Sequence, residues 1–226
     1  MIKFDKVTKI YPPNTAVLKD VSFEINEGEF VSIIGKSGVG KTTITRLILG
    51  LEDPTYGDVY FRNKNMRITD HLQIHKIRRS IGGIYQDYKL LPAKTVYENV
   101  AYVLEVKGVE QNEIRKETDK VLETIGLKDK INNFPKELSG GEQQRLAVAR
   151  ALVIHPKIII ADEPTGNLDP YNTYEVISLL EKINKAGTTV ILLTHNREII
   201  NKLGKRVITL VGGEIIRDEA EGRFII

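Results

Sequence analysis

The sequence predicts an α/β fold with a mixed, largely parallel sheet, an N-terminal antiparallel β subdomain and an inserted helical subdomain. Three observations lead there. Phe30–Ile34, Ile158–Ala161 and Val190–Leu193 are short, almost continuously apolar runs, as strands buried on both faces are. Helical patterns alternate with them, as βαβ units require. From about Tyr88 to Pro156 the apolar period is helical throughout.

Taken in order, the chain opens with β-rich Ile2–Val7, turns at Tyr11-Pro12-Pro13-Asn14 and returns with strict alternation over Val21–Ile25. Buried strand Phe30–Ile34 runs into a glycine-rich turn and then a helix from about Lys41 to Leu49, closed by Gly50. Gly57–Phe61 and Ser80–Tyr85 are the next β-like pieces. Helices are expected from Val96 to Lys107, after Asn112 as an N-cap with Ile114, Val121, Leu122 and Ile125 on one face, and from Gln143 to Ile154. Strands Ile158–Ala161 and Val190–Leu193 are separated by a helix from about Tyr171 to Lys185 that Gly187 ends. Residues 1–226 are expected to form one unit. About 1–87 and 157–226 make the α/β core with its β subdomain, and about 88–156 make the helical subdomain.

Composition narrows the function classes. A 226-residue chain that is 41% hydrophobic and 28% charged is neither disordered nor a coiled coil. Thirty-three Lys and Arg against 30 Asp and Glu leave +3, too little to argue for nucleic acid by itself. The absence of cysteine excludes a disulfide framework, thiolate metal sites and a thiol nucleophile. No apolar run approaches the roughly 20 residues of a membrane-spanning helix, so any membrane role is expected to come through a partner.

Three motifs carry chemistry. Gly35-Lys36-Ser37-Gly38-Val39-Gly40-Lys41-Thr42, followed by Thr43, satisfies G-x-x-x-x-G-K-[ST] between a buried strand and a helix. Its glycines let successive N–H groups and the helix N-terminus surround a polyphosphate. Lys41 would then reach the β- and γ-phosphates, and Thr42 would ligate Mg²⁺. A second buried strand ends in Asp162-Glu163, at the sheet edge where α/β folds hold ligands. Asp162 matches the acid that holds Mg²⁺ through water in P-loop enzymes, and Glu163 is placed to act as general base. Leu138-Ser139-Gly140-Gly141-Glu142-Gln143-Gln144-Arg145 makes a second anion-binding helix start, 98 residues beyond Lys41. Such a site is redundant in cis unless it serves another nucleotide.

On these motifs the chain resembles the ATP-binding-cassette (ABC) ATPases, whose signature sequence looks like Leu138 to Arg145 and serves the nucleotide of the opposite subunit in a head-to-tail dimer. The resemblance covers Ile2 to about Asp218 and implies ATP and Mg²⁺ as ligands. By it, Tyr11 stacks on the adenine, and Gln86 contacts Mg²⁺ and the attacking water. His195 contacts the γ-phosphate, Asn167-Leu168-Asp169 communicates across the dimer, and Ser139, Gly140, Gly141 and Glu142 act in trans. Lys36 replaces the commoner proline and Thr42 the commoner serine. Threonine keeps the hydroxyl.

The resemblance also implies an integral membrane partner, met beside Gln86 by Tyr85–Pro92 and Thr95–Val100, and a place on the inner face of the bacterial membrane. Tyr85–Pro92, Glu163–Pro170 and Thr194–Ile200 are similar to the family's cell-division members. Lipoprotein-release and macrolide-exporter members share Gly166-Asn167-Leu168-Asp169 and remain an alternative. A nucleic-acid-acting member is a second alternative, because Arg62 to Arg79 holds six Lys and Arg against one Asp. No long coiled coil fits between the two anion sites, and Asn184-Lys185-Ala186-Gly187 lacks the Asp of a guanine reader.

Overall fold

A computed structural model describes residues 1–225, with the His71 side chain outside the description. Strands β1 (Ile2–Tyr11), β2 (Thr15–Ile25), β4 (Tyr56–Phe61) and β5 (Lys64–Asn65) form an antiparallel sheet in the order β2-β1-β4-β5. A six-stranded sheet has the order β10-β9-β3-β8-β7-β6, from β3 (Phe30–Ile34), β6 (Ile81–Tyr85), β7 (Ile158–Asp162), β8 (Thr189–Thr194), β9 (Arg206–Val211) and β10 (Glu214–Glu219). All its pairings are parallel except β9 with β10. The fold is thus the mixed α/β arrangement that the sequence predicts.

Period-two alternation explains why the central strands are apolar throughout. Phe30, Ile159, Ala161, Val190 and Leu192 point into one core with helices α3 (Val96–Val106), α4 (Gln111–Thr124), α5 (Gly140–Leu152) and α6 (Pro170–Lys185). Val31, Ile33, Ile158, Ile160, Ile191 and Leu193 point into the other, against α1 (Lys41–Ile48) and the antiparallel sheet. Arg206 fastens the sheet near its edge. It donates to Asp218 on β10, to Glu29 before β3 and to the Glu24 carbonyl, each at 2.7 Å. The bond to Asp218 leads in raising its pKa above the ordinary arginine value.

The structure adjusts several sequence boundaries. Helix α4 starts after Glu110 rather than Asn112, with no side-chain cap. Helix α5 starts at Gly140, three residues before Gln143, because Ser139 and Glu142 form a reciprocal capping box. Two short helices, α2 (His71–Arg78) and α7 (Arg197–Leu203), and strands β9 and β10 add to the elements read from sequence. Among the described residues no helix is long and apolar enough to cross a membrane.

Candidate active site

The strand register brings the sequence motifs to one edge of the sheet. Ile34 pairs with Thr194, Leu193 with Asp162, and Asp162 with Tyr85. The next residues of the four parallel strands are therefore Gly35, His195, Glu163 and Gln86, side by side at the carboxyl ends where open α/β sheets bind ligands.

The loop after β3 is shaped by its glycines. Gly38 and Gly40 have φ of 78° and 113°, and a Cβ on Gly40 would stand 2.8 Å from Leu18 Cδ2. Helix α1 follows Gly40 without a side-chain cap, so its first-turn N–H groups remain available to an anion. A recess of about 700 Å³ opens here, lined by Ser37, Gly38, Gly40, Lys41, Thr42 and Thr43 and by Gln86, Asp162 and Glu163. Gly35, Lys36 and Val39 belong to the loop but are not among the lining residues. The Gly35 and Lys36 carbonyls accept from Lys41 Nζ at 2.8 and 3.2 Å.

Charge is concentrated at Glu163, where the recess-lining Lys41 and the exposed His195, outside that lining, meet. Lys41, whose side chain is only 7% exposed, lies 3.5 Å from Glu163 Oε1, and His195 Nδ1 lies 2.8 Å from the same oxygen. Glu163 has φ of 48°, a left-handed value uncommon for a side-chain-bearing residue. Its N–H donates to the Leu193 carbonyl at 2.9 Å and its carbonyl accepts from Gly166 N–H at 3.2 Å, which hold that conformation. Thr42 Oγ1 donates to Asp162 Oδ2 at 3.3 Å. Burial pushes the Asp162 carboxyl above its ordinary value, opposed by the Thr42 hydrogen bond.

Gln86 shares the recess but also faces the loop after Glu163. Its Nε2 donates to Asn167 Oδ1 at 3.2 Å, and a Cβ on Gly166 would stand 2.8 Å from that same amide nitrogen. Asp169 caps α6 by accepting from the Asn172 N–H at 3.0 Å. Ser139, Gly140, Gly141 and Glu142 do not line the recess. A Cβ on Gly141 would collide with Asn172 of the same chain, so the helix start abuts the Asp169 loop instead. Glu142 bonds to Lys130, the leading cause of its lowered pKa.

Tyr11 is not among the recess-lining residues. Its hydroxyl donates to Glu52 Oε2 at 2.5 Å, and Glu52 Oε1 accepts from Arg46 Nη1 at 2.9 Å. Arg46 itself lines the recess, as do Val17, Leu49 and Leu51. Sequence reasoning missed this Glu52–Arg46 bridge. Its partners are 41 and 6 residues away and share no motif. Arg46 at helix spacing from Thr42 was the one available signal.

Among the described residues no group of three or more His, Cys, Asp and Glu is arranged to hold a metal ion. The donors that do converge are a hydroxyl (Thr42), an amide (Gln86) and a carboxylate (Asp162). This hard-oxygen set suits a Mg²⁺ that keeps waters and phosphate oxygens as its remaining ligands.

Fold and site together define a P-loop ATPase of the ATP-binding-cassette class. The chain belongs to the ABC transporter family, which it matches over residues 18–166. It is similar to proteins named cell division ATP-binding protein FtsE. Identity is 46% over 224 residues to that of Bacillus subtilis (strain 168), covering 99% of this chain and 98% of that protein. It is 47% over 225 residues for Mycobacterium tuberculosis, covering 99% and 98%. For Escherichia coli (strain K12) it is 40% over 215 residues, covering 95% and 97%. Among solved structures, the ATP-binding cassette MJ0796, as a post-hydrolysis dimer bound to ADP and Pi, superposes with a TM-score of 0.88. It is 40% identical and the match covers 99% of this chain and all of that one. The structure of cbiO1 from Clostridium perfringens, part of the ABC transporter complex cbiONQ, gives a TM-score of 0.90 at 32% identity, covering 97% and 88%.

Proposed function

We propose that two copies of this chain bind ATP between them, each recess closed by the Ser139-led helix start of the other, and that hydrolysis reopens the pair. The observation that carries the reading is the division of anion-binding elements. Lys41 and Glu163 line the recess, with His195 bonded to Glu163 beside that lining, whereas Ser139–Glu142 stands apart from it in the same chain. A head-to-tail pair brings the two together. The MJ0796 dimer bound to ADP and Pi supports that arrangement.

In this mechanism the loop N–H groups and Lys41 bind the β- and γ-phosphates, and Lys41 exchanges its loop carbonyls for phosphate oxygens. Glu163 Oε accepts the proton of the attacking water as it moves in line toward the γ-phosphorus. His195, held through Nδ1 by Glu163, presents its other ring nitrogen toward the γ-phosphate as charge builds. Thr42, Gln86 and, through water, Asp162 would hold Mg²⁺, which supplies neutralisation of the β- and γ-phosphate oxygens. Asp169 and its neighbours carry the state of one recess to the other, since Gln86 bonds Asn167, two residues before Asp169, which caps α6.

Tyr11 stacks on the adenine, and Glu52 orients its ring by accepting from the hydroxyl. Replacing Glu52 by Ala is expected to raise the KM for ATP about fivefold, the loss of about one hydrogen bond, with kcat unchanged. Steady-state ATPase measurements check this. A fall in kcat at constant KM contradicts it.

The FtsE relatives support a place in bacterial cell division. In this reading an FtsX-like integral membrane protein brings the chain to the inner face of the cell membrane, and dimer closure and opening regulate peptidoglycan hydrolysis through it. Affinity capture from detergent-solubilised membranes tests the partner. Recovery of an FtsX-like protein is expected, and recovery of an exporter permease in its place contradicts the division role.

A further inference from the structure

The segment from Arg62 to Arg79 holds six Lys and Arg against Asp70 alone, and its contacts sort these charges into two sets. Three are tied down. Arg62 pairs with Glu27 at 3.0 Å, Lys64 donates to Gln73 at 2.9 Å, and Arg78 donates to the Leu49 and Gly50 carbonyls at 2.8 and 2.5 Å. Among the described residues the side chains of Arg67, Lys76 and Arg79 make no ion pair or hydrogen bond, and all three are exposed.

Helix periodicity collects the second set. Leu72 and Lys76 on α2 and Arg79 at its C-cap stand four and three residues apart and share its outer face, while Ile74, Ile77 and Arg78 turn inward. Ile68, in the bend just before the Asp70 N-cap, is 83% exposed and Leu72 is 76% exposed. They are the two most exposed large apolar side chains among the described residues. Protruding aliphatic groups interleaved with unpaired cations match a phospholipid interface, which offers phosphate for the cations and an acyl boundary for the aliphatics. A nucleic-acid backbone gives Ile68 and Leu72 nothing to enter.

We propose that this face of α2, with Arg67 and Ile68 at its N-terminal approach, rests on an anionic phospholipid surface. The inference rests on the proposed membrane partner, which would bring the chain within reach of the bilayer, and it adds a contact that belongs to this chain alone. Three cations and two aliphatic side chains give reversible attachment, not permanent anchoring.

Sedimentation of the full chain with vesicles tests it, using phosphatidylcholine alone or with about one-third phosphatidylglycerol. Binding to the anionic vesicles only, weakening with salt, is expected. The double variant Lys76→Glu/Arg79→Glu should bind at least roughly tenfold more weakly. Ile68→Ser/Leu72→Ser should also bind more weakly, and both variants should keep the parent ATPase rate and thermal midpoint. Equal binding to neutral vesicles, no binding to either, or undiminished binding by the variants overturns the proposal. So does duplex DNA binding that is lost on charge reversal but indifferent to Ile68 and Leu72, without vesicle sedimentation. The assay contains neither ATP nor partner, so its failure leaves the ATPase and partner readings standing. Vesicle binding with failed partner capture removes only the partner reading.

Discussion

Replacing Glu163 by glutamine is expected to lower ATP turnover by roughly 10²- to 10⁴-fold, with ATP binding retained and an ATP-bound dimer accumulating. Glutamine keeps the length and shape of Glu163 and still hydrogen-bonds the His195 ring that lies 2.8 Å from the native carboxylate. What it lacks is the capacity to take a proton from water. The left-handed backbone at Glu163 aims either side chain alike, because it is fixed by bonds to the Leu193 carbonyl and the Gly166 N–H rather than by the carboxylate. Phosphate release together with light scattering on the eluting species measures both effects. Turnover at the parent rate would remove Glu163 from the role of base.

Replacing Lys41 by alanine acts earlier, on binding. The ammonium is nearly enclosed and meets two loop carbonyls and the Glu163 carboxylate, so it is oriented before any phosphate arrives. Its removal deletes the buried cation that the loop carbonyls hold, and ATP affinity is expected to fall roughly a hundredfold or more, as for truncation of one partner in a buried charge pair. The Gly35 and Lys36 carbonyls and Glu163 also lose a partner, which costs about 1–3 kcal/mol of stability. Titration with a fluorescent ATP analogue and a thermal melt distinguish the two losses. Unchanged affinity would contradict the phosphate role of Lys41.

Much of this site was legible because its chemistry is local in sequence. Gly35–Thr43 needs one turn between a strand and a helix, and the buried strands β3, β7 and β8 announce themselves by being apolar on both faces. Parallel register then fixes which residues meet, and Asp162, Glu163, Gln86 and His195 emerge together for that reason. What sequence could not give depends on contacts between distant segments. The Tyr11–Glu52–Arg46 bridge follows no spacing rule, and the turn of Gln86 toward Asn167 depends on two loops meeting. β10 is exposed at nearly every position and offers no alternation to detect. Helix α2 has too few buried positions to mark itself, and its outward face, the one with Leu72, breaks the usual polar pattern.

In the proposed dimer every hydrolytic site takes its loop from one chain and its Ser139-led helix start from another. Mixing two variants tests this sharing. Gly140→Asp places a carboxylate where the partner's γ-phosphate would sit. Gly140 is exposed, its added Cβ would stand 3.3 Å from Tyr88 Oη, and an acid in the first helical turn is favourable for folding, so the chain stays intact. Lys41→Ala alone and Gly140→Asp alone are each expected to be inactive, since both sites of either homodimer are broken. In a mixed pair one site combines both defects and the other has neither. An equal mixture should therefore recover about a quarter of the parent ATPase rate, because half the pairs are mixed and each has one intact site. An equal mixture as inactive as its components would contradict sites shared between chains.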